Sequence, residues 1–141
     1  MISAEIEVAV PFHDIDVMEI AWHGHYSKYF EIARCALFDK LDYSHIVMRE
    51  TGYLWPVIDL HIRYVKPALF QQRLKVRATL TEWENRMKIN YQITDADSGQ
   101  RLTKGHTIQV AVEAGSHELC FVSPDVFLQK VAHAAAAESA Q

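Results

Sequence analysis

Residues 24–41 read Gly24-His25-Tyr26-Ser27-Lys28-Tyr29-Phe30-Glu31-Ile32-Ala33-Arg34-Cys35-Ala36-Leu37-Phe38-Asp39-Lys40-Leu41. Tyr26, Tyr29, Phe30, Ala33, Leu37 and Leu41 recur at i, i+3, i+4, i+7, i+11 and i+15, while Ser27, Lys28, Glu31 and Lys40 take the other side. That spacing predicts one amphipathic helix of about four turns, with an apolar stripe that has to be covered by something else in the chain.

The flanking sequence supplies the cover. Ile6, Val8 and Val10 alternate with Glu5, Glu7 and Ala9, so a strand over about Ala4–Val10 is expected, ended by Pro11. A short helix over Ser44–Glu50 should stop at Gly52. Beyond it the period changes to two, predicting strands at Val57–Val65, Leu74–Trp83, Lys88–Thr94 and Arg101–Glu113. Lys66-Pro67, Glu84-Asn85-Arg86 and Asp95-Ala96-Asp97-Ser98-Gly99 punctuate them, so four successive hairpin-linked strands in one antiparallel sheet are expected. Ser123-Pro124-Asp125 opens a C-terminal helix expected to reach about Ala136, with residues 137–141 a fraying tail. One long helix and one long sheet bury each other's apolar faces most simply as α+β, the helix laid across the sheet, in a single domain over residues 1–141.

Charge and composition exclude several functions. Fourteen Lys and Arg against eighteen Asp and Glu give a formal charge of −4, with no basic block, which disfavours nucleic acid and anionic lipid as partners. No apolar run of 18 residues predicts a membrane span, and the first nine residues lack the apolar core of a leader. Cys35 and Cys120 each sit in an apolar run far from a second Cys, predicting two buried, reduced thiols in a cytoplasmic protein.

Residues 12–26, Phe12-His13-Asp14-Ile15-Asp16-Val17-Met18-Glu19-Ile20-Ala21-Trp22-His23-Gly24-His25-Tyr26, fit neither period and concentrate three histidines and three carboxylates. Three readings compete. One is a turn and a helix cap with aromatic filling. Another is a metal site, but His23 and His25 diverge at a loop-to-helix junction and no HExxH pair exists, so no metal is expected. The third is a carboxylate facing a helix start, whose unpaired N–H groups and partial positive charge can polarise a carbonyl oxygen. An aspartate of ordinary pKa, about 3.9, is ionised at neutral pH and can attack a carbonyl or activate water. Such a minimal pair suits a leaving group that needs little help. A thiol, with a pKa of about 8.5, departs far more easily than an amine or alcohol, so thioester hydrolysis fits best.

Asp14-Ile15-Asp16, Trp22-His23, Tyr26 and Lys28-Tyr29-Phe30-Glu31-Ile32-Ala33-Arg34 resemble the signature of the hot-dog fold thioesterases of the 4-hydroxybenzoyl-CoA and Tol-Pal-associated acyl-CoA type. Weaker likenesses follow in order at Arg63-Tyr64-Val65-Lys66-Pro67-Ala68 and at Leu80-Thr81-Glu82-Trp83 with Arg86, so the resemblance runs to about Phe127. It implies a hot-dog fold, and a thioesterase acting on an acyl-CoA or acyl-carrier-protein ester without a cofactor. It also implies a homodimer or dimer of dimers, with sites at the protomer interface. Asp16 takes the position of the catalytic carboxylate, as nucleophile or general base, and His23 that of a second active-site residue whose segment supplies the polarising N–H. Asp14 takes a structural position. Trp22, Gly24 and Tyr26 fall among the substrate-binding positions.

Two residues depart from the pattern. Glu19 stands where the family usually has Gly, and either alters the turn or adds a third carboxylate. His25 stands where Asn is frequent. For the phosphates of coenzyme A, the basic residues Arg86, Lys88 and Lys104 are candidates, Arg86 foremost, and Trp22, Trp55 and Tyr53 could wall an acyl pocket. The alternatives are a non-catalytic acyl-CoA sensor, which has no need of Asp16, a dehydratase, for which no motif is present, and a partner-binding protein.

Overall fold

The computed structural model describes residues 1–140. The helix predicted from residues 24–41 forms over Tyr26–Lys40 (α1), with Tyr26, Tyr29, Phe30, Ala33 and Leu37 buried as the periodicity requires. Each large side chain so buried contributes about 1.5–3 kcal/mol. Around α1 the chain places β1 (Ser3–Ala9), α2 (His45–Glu50), β2 (Tyr53–Leu54), β3 (Val57–Tyr64), β4 (Arg73–Glu82), β5 (Met87–Asp95), β6 (Arg101–Gln109), β7 (Val112–Glu113) and α3 (Asp125–Ser139). Ser44 caps α2 through its hydroxyl, which accepts the Val47 N–H. The C-terminal helix runs three residues past the expected end at Ala136, and the last residue of the expected frayed tail, Gln141, lies outside the described residues. The whole is a long helix packed on an antiparallel sheet with a C-terminal helix, the α+β architecture expected from the pattern of elements and the hot-dog arrangement that the resemblance implied.

The sheet has the order β1-β4-β5-β6-β3, all antiparallel. The expected run of four hairpin-linked strands is corrected here. β4, β5 and β6 are linked by hairpins, but β3 pairs with β6 and not with its chain neighbour β4. Both edges of β4 are taken, by β1 and β5, so β3 cannot pair there and lies instead on the outer edge of β6. Alternation of side chains does not encode which strand is the partner. Residues 65–72 therefore cross the end of the sheet instead of forming a turn.

The single strand expected over Arg101–Glu113 is also corrected. It divides into β6 and β7, and β7 pairs with β2 in a two-stranded sheet. The register is the same on both sides of the break: Tyr53 opposes Glu113, Leu54 opposes Val112, and Val57 opposes Gln109. Pro56 lies in between and has no N–H to give, which interrupts the ladder.

The core between α1 and the sheet centres on Phe30, whose ring stacks on Tyr91 at 4.3 Å and 4°. Gly105 lies opposite Tyr91 on β6, and a side chain there would run into the His61 carbonyl and the Phe30 ring. Cys35 is exposed and Cys120 only partly buried, against the expectation of two buried thiols. Cys35 lies on the helix face of Glu31, Ile32 and Asp39, all exposed, while Ala33 and Leu37 turn inward. Neighbours in sequence are not neighbours on a helix.

Candidate active site

The loop between β1 and α1 is built around two aspartates with opposite surroundings. Asp14 is fully buried. Its Oδ1 and Oδ2 accept from Lys28 Nζ at 2.7 and 2.8 Å, and Oδ2 also accepts from the Tyr29 hydroxyl at 2.6 Å. Burial by itself raises its pKa, but the Lys28 ammonium and Tyr29 hydroxyl outweigh that and hold the carboxyl below the ordinary aspartate value. The Tyr29 phenol is pushed up in turn, by burial first and then by bonding to Asp14. The Asp14 carbonyl accepts the Trp22 N–H at 2.9 Å, pinning the two ends of the loop together. These contacts leave Asp14 occupied in binding α1 to the loop.

Asp16 stands on the next turn, where its Oδ1 accepts the Met18 N–H at 2.8 Å and its carbonyl accepts the Glu19 N–H at 3.0 Å. Its own N–H donates to Ile20 at 2.9 Å, and Ile15 bridges to Ala21. Glu19 closes this turn with φ at 65°, a left-handed conformation that favours glycine. The turn is thus kept with Glu in the glycine position, and the side chain is exposed.

A cleft of about 280 Å³ brings Asp16 and His23 together with Tyr26 and Tyr64. Met18, Ile20, Val65 and Pro67 give it apolar walls, and Lys66 supplies its one cation. Among the described residues, the Lys66 ammonium meets only the Gln100 side-chain oxygen, at 3.2 Å. Tyr26 is buried, and its hydroxyl accepts the Ala68 N–H at 3.1 Å while its ring meets Tyr64 edge-on at 4.8 Å. Burial raises the pKa of both phenols. The Tyr64 hydroxyl donates to the His23 carbonyl at 2.6 Å.

His23, Gly24 and His25 form a 3₁₀ turn that leads into α1, and among the described residues no side chain caps the helix start. Gly24 lies under the Trp22 ring, which a Cβ there would strike. Trp22 packs over this turn, beside His23 and His25, and is not part of the cleft. His25 lies 3.8 Å from Asp14 Oδ1.

The other residues singled out from sequence are elsewhere. Arg86 bonds Glu82 at 2.9 Å in the β4–β5 turn, at the end of the sheet away from the loop, because β1 leads into the loop from the Arg73 end of β4. Trp55 is core, its Nε1 donating to the Tyr43 hydroxyl and its ring packed on Phe127, and Tyr53 lies in β2. Neither lines the cleft. Lys88 and Lys104 lie on the sheet face turned away from α1. Sequence reasoning missed Tyr64, Val65, Lys66 and Pro67 as cleft residues, although they fall in a stretch that carried the resemblance. Among the described residues, no three His, Cys, Asp or Glu side chains gather so as to hold a metal ion, and no helix is long and apolar enough to cross a membrane.

Residues 10–131 match the profile of the Thioesterase-like superfamily. The Bacillus subtilis protein YneP, whose name assigns it provisionally to the acyl-CoA thioesterases, is 30% identical over 77 residues, 55% of this chain. That match spans just over half of YneP, 56% of its length. The DHNA-CoA thioesterase of Staphylococcus aureus superposes with a TM-score of 0.84 at 25% identity, over 99% of this chain and 93% of its own. Slr0204, a 1,4-dihydroxy-2-naphthoyl-CoA thioesterase from Synechocystis, superposes at 0.82 with 19% identity, over 92% of this chain and 96% of its own, a likeness of fold alone.

Proposed function

The chain belongs to the Thioesterase-like superfamily, and from that premise we propose that it hydrolyses an acyl-CoA or acyl-carrier-protein thioester to the free acid and thiol. The observation that carries the reading is Asp16, held by the Met18 N–H and sharing one apolar-walled cleft with His23. In the reaction, Asp16 either attacks the thioester carbon or takes a proton from the attacking water. The carbonyl oxygen gains charge as the carbon becomes tetrahedral, and the His23 and Gly24 N–H groups of the turn before α1 stabilise it, the His25 N–H being bonded to the Trp22 carbonyl. Collapse breaks the C–S bond, the electron pair leaves with sulfur, and the thiolate takes up a proton; where Asp16 has attacked, water then hydrolyses the acyl–aspartyl anhydride, releasing the acid and restoring the carboxylate. His23 serves as the second active-site residue. Tyr26 and Tyr64 form the wall against which the acyl group lies.

The working unit is a dimer in this reading. β3 is an edge strand with one side unpaired, and its apolar residues Ile58 and Leu60 are 60% and 46% exposed. A long apolar edge invites pairing with another strand. The cleft of one chain is also at the small end for a ligand site, which usually measures about 300–1,000 Å³. Two β3 strands paired antiparallel put the partner next to the Tyr64 end, where the cleft opens. Arg86 does not reach the cleft of its own chain, so any contact it makes with a bound carrier is to the partner's site.

Thiol release from a panel of acyl-CoA esters tests the reading. Asp16→Asn should slow the best substrate by about 10²–10⁴-fold with the melting temperature unchanged. Equal rates for variant and wild type, or no thiol release from any ester, would overturn it.

A further inference from the structure

The face of the sheet turned away from α1 carries a depression of about 690 Å³ with no part in the cleft described above; the two share no lining residue. Strand register arranges its side chains in two adjacent rows. Arg63 opposes Lys104, Lys104 opposes Gln92, and Gln92 opposes Arg77. Beside that row, His61 opposes His106, His106 opposes Asn90, and Asn90 opposes Thr79, with the two imidazoles stacked at 5.5 Å and 6°. Lys88 and Arg101 flank the rows. Directly opposed residues lie about 4.5–5.5 Å apart, so like charges this close repel unless an anion lies between them.

The chain's own carboxylates do not supply that anion. Lys28, Arg34, Lys40, Arg73, Arg86 and Lys130 each have a carboxylate oxygen within 4.0 Å. Among the described residues, none of Arg63, Arg77, Lys88, Arg101 and Lys104 has one; Arg77 bonds only the Ser3 hydroxyl, at 3.0 Å. Three acids border the patch without reaching its cations: Glu5 opposes Arg77 across the β1–β4 pair, Glu82 opposes Lys88 but bonds Arg86, and Asp59 lies 3.9 Å from His106. In a chain of net charge −4, these five cations with amide, hydroxyl and imidazole donors around them form a local concentration of unanswered positive charge.

We propose that this face binds a small organic polyphosphate, a ligand with two phosphate groups in succession such as a nucleoside diphosphate. The row spans four strands, about 14 Å, which suits a diphosphate with its sugar and is too short for a tract of nucleic-acid backbone. A second copy of the chain would bring the same cations against themselves. The phosphates lie along the Arg63–Lys104–Arg77 row, and the Asn90 and Gln92 amides meet the organic part. The inference is independent of the thioesterase reading. The diphosphate has two possible sources, a free nucleotide or the nucleotide end of a thioester's carrier.

Calorimetric titration at low salt with ADP, inorganic pyrophosphate and orthophosphate tests it. ADP and pyrophosphate should bind one per chain, at least tenfold more tightly than orthophosphate. Arg63→Gln with Arg77→Gln should weaken ADP at least tenfold, with an unchanged melting temperature as the control for folding. The proposal fails if neither diphosphate saturates the protein at millimolar concentration, or if the double variant binds ADP as well as the wild type. It also fails if an acidic carrier protein, and not ADP, binds in a way the variant abolishes. The source is read from KM: a rise in the double variant for an acyl-CoA but not for the matching acyl-pantetheine assigns the diphosphate to the carrier, and no rise assigns it to a free nucleotide. A chain that hydrolyses neither ester sinks the thioesterase reading and leaves the titration standing.

Discussion

The Tyr64 hydroxyl at the end of β3 donates to the His23 carbonyl at 2.6 Å, tying an edge strand to the turn that opens α1. A peptide unit is planar and trans, so a carbonyl aimed at Tyr64 sends the following Gly24 N–H the opposite way. Tyr64 is therefore a positioning residue for that turn. Tyr64→Phe removes one hydrogen bond worth about 1 kcal/mol, which is about a fivefold loss if it is felt only in the transition state. Steady-state kinetics should show kcat falling by that factor with KM held. A rise in KM at constant kcat would mean that Tyr64 contributes only to uniform binding.

Asp14 and Asp16 should separate cleanly by variant. Asp14→Asn leaves Lys28 facing an amide in a buried place, and urea unfolding at pH 7 should find a loss of about 1.5–3 kcal/mol. Because the Asp14 pKa is depressed on folding, its contribution is present above the unfolded value, about 3.9, and is lost as pH falls through the lower folded value. The gap between wild type and variant should accordingly shrink below pH 4. A gap that stays constant with pH would show that packing, and not charge, holds the loop.

Glu19 at φ 65° stores strain in the Asp16 turn. A left-handed residue other than glycine costs about 1–2 kcal/mol, part of which returns as the entropy glycine loses on folding. Glu19→Gly should raise stability by about 0.5–1 kcal/mol in thermal unfolding. An unchanged or lower midpoint would mean that the Glu19 side chain supplies compensating contacts.

Leu60→Lys places a charge on the exposed side of β3, and sedimentation should find monomers where the wild type forms dimers. Thioesterase activity should fall with the loss of the dimer and recover at high protein concentration. Full activity in a monomer would show that one chain suffices.

The helix was legible because Tyr26, Tyr29, Phe30, Ala33 and Leu37 share one face at a spacing that no strand reproduces, and all five are buried in α1. Asp14 and Asp16 stood out for a different reason, as ionisable residues packed into a loop that fits neither period. Cys35 was misplaced because an apolar run says nothing about which side of a helix its members occupy. Tyr64 was passed over because its sequence neighbours describe a strand, while its task is set by a turn 41 residues earlier.

By itself the sequence determined the elements, the α+β class and the loop in which chemistry concentrates, since each depends on local period, turn residues and composition. The tertiary structure decided the partner of β3, the division of the last long strand opposite Pro56, the different surroundings of Asp14 and Asp16, and the meeting of cations from β3, β4, β5 and β6 on one face. The physical reason is the same in each case. Alternation fixes the side of a strand a residue takes, but which strands lie adjacent, and hence which charges meet, is settled by competition for free edges across the whole sheet.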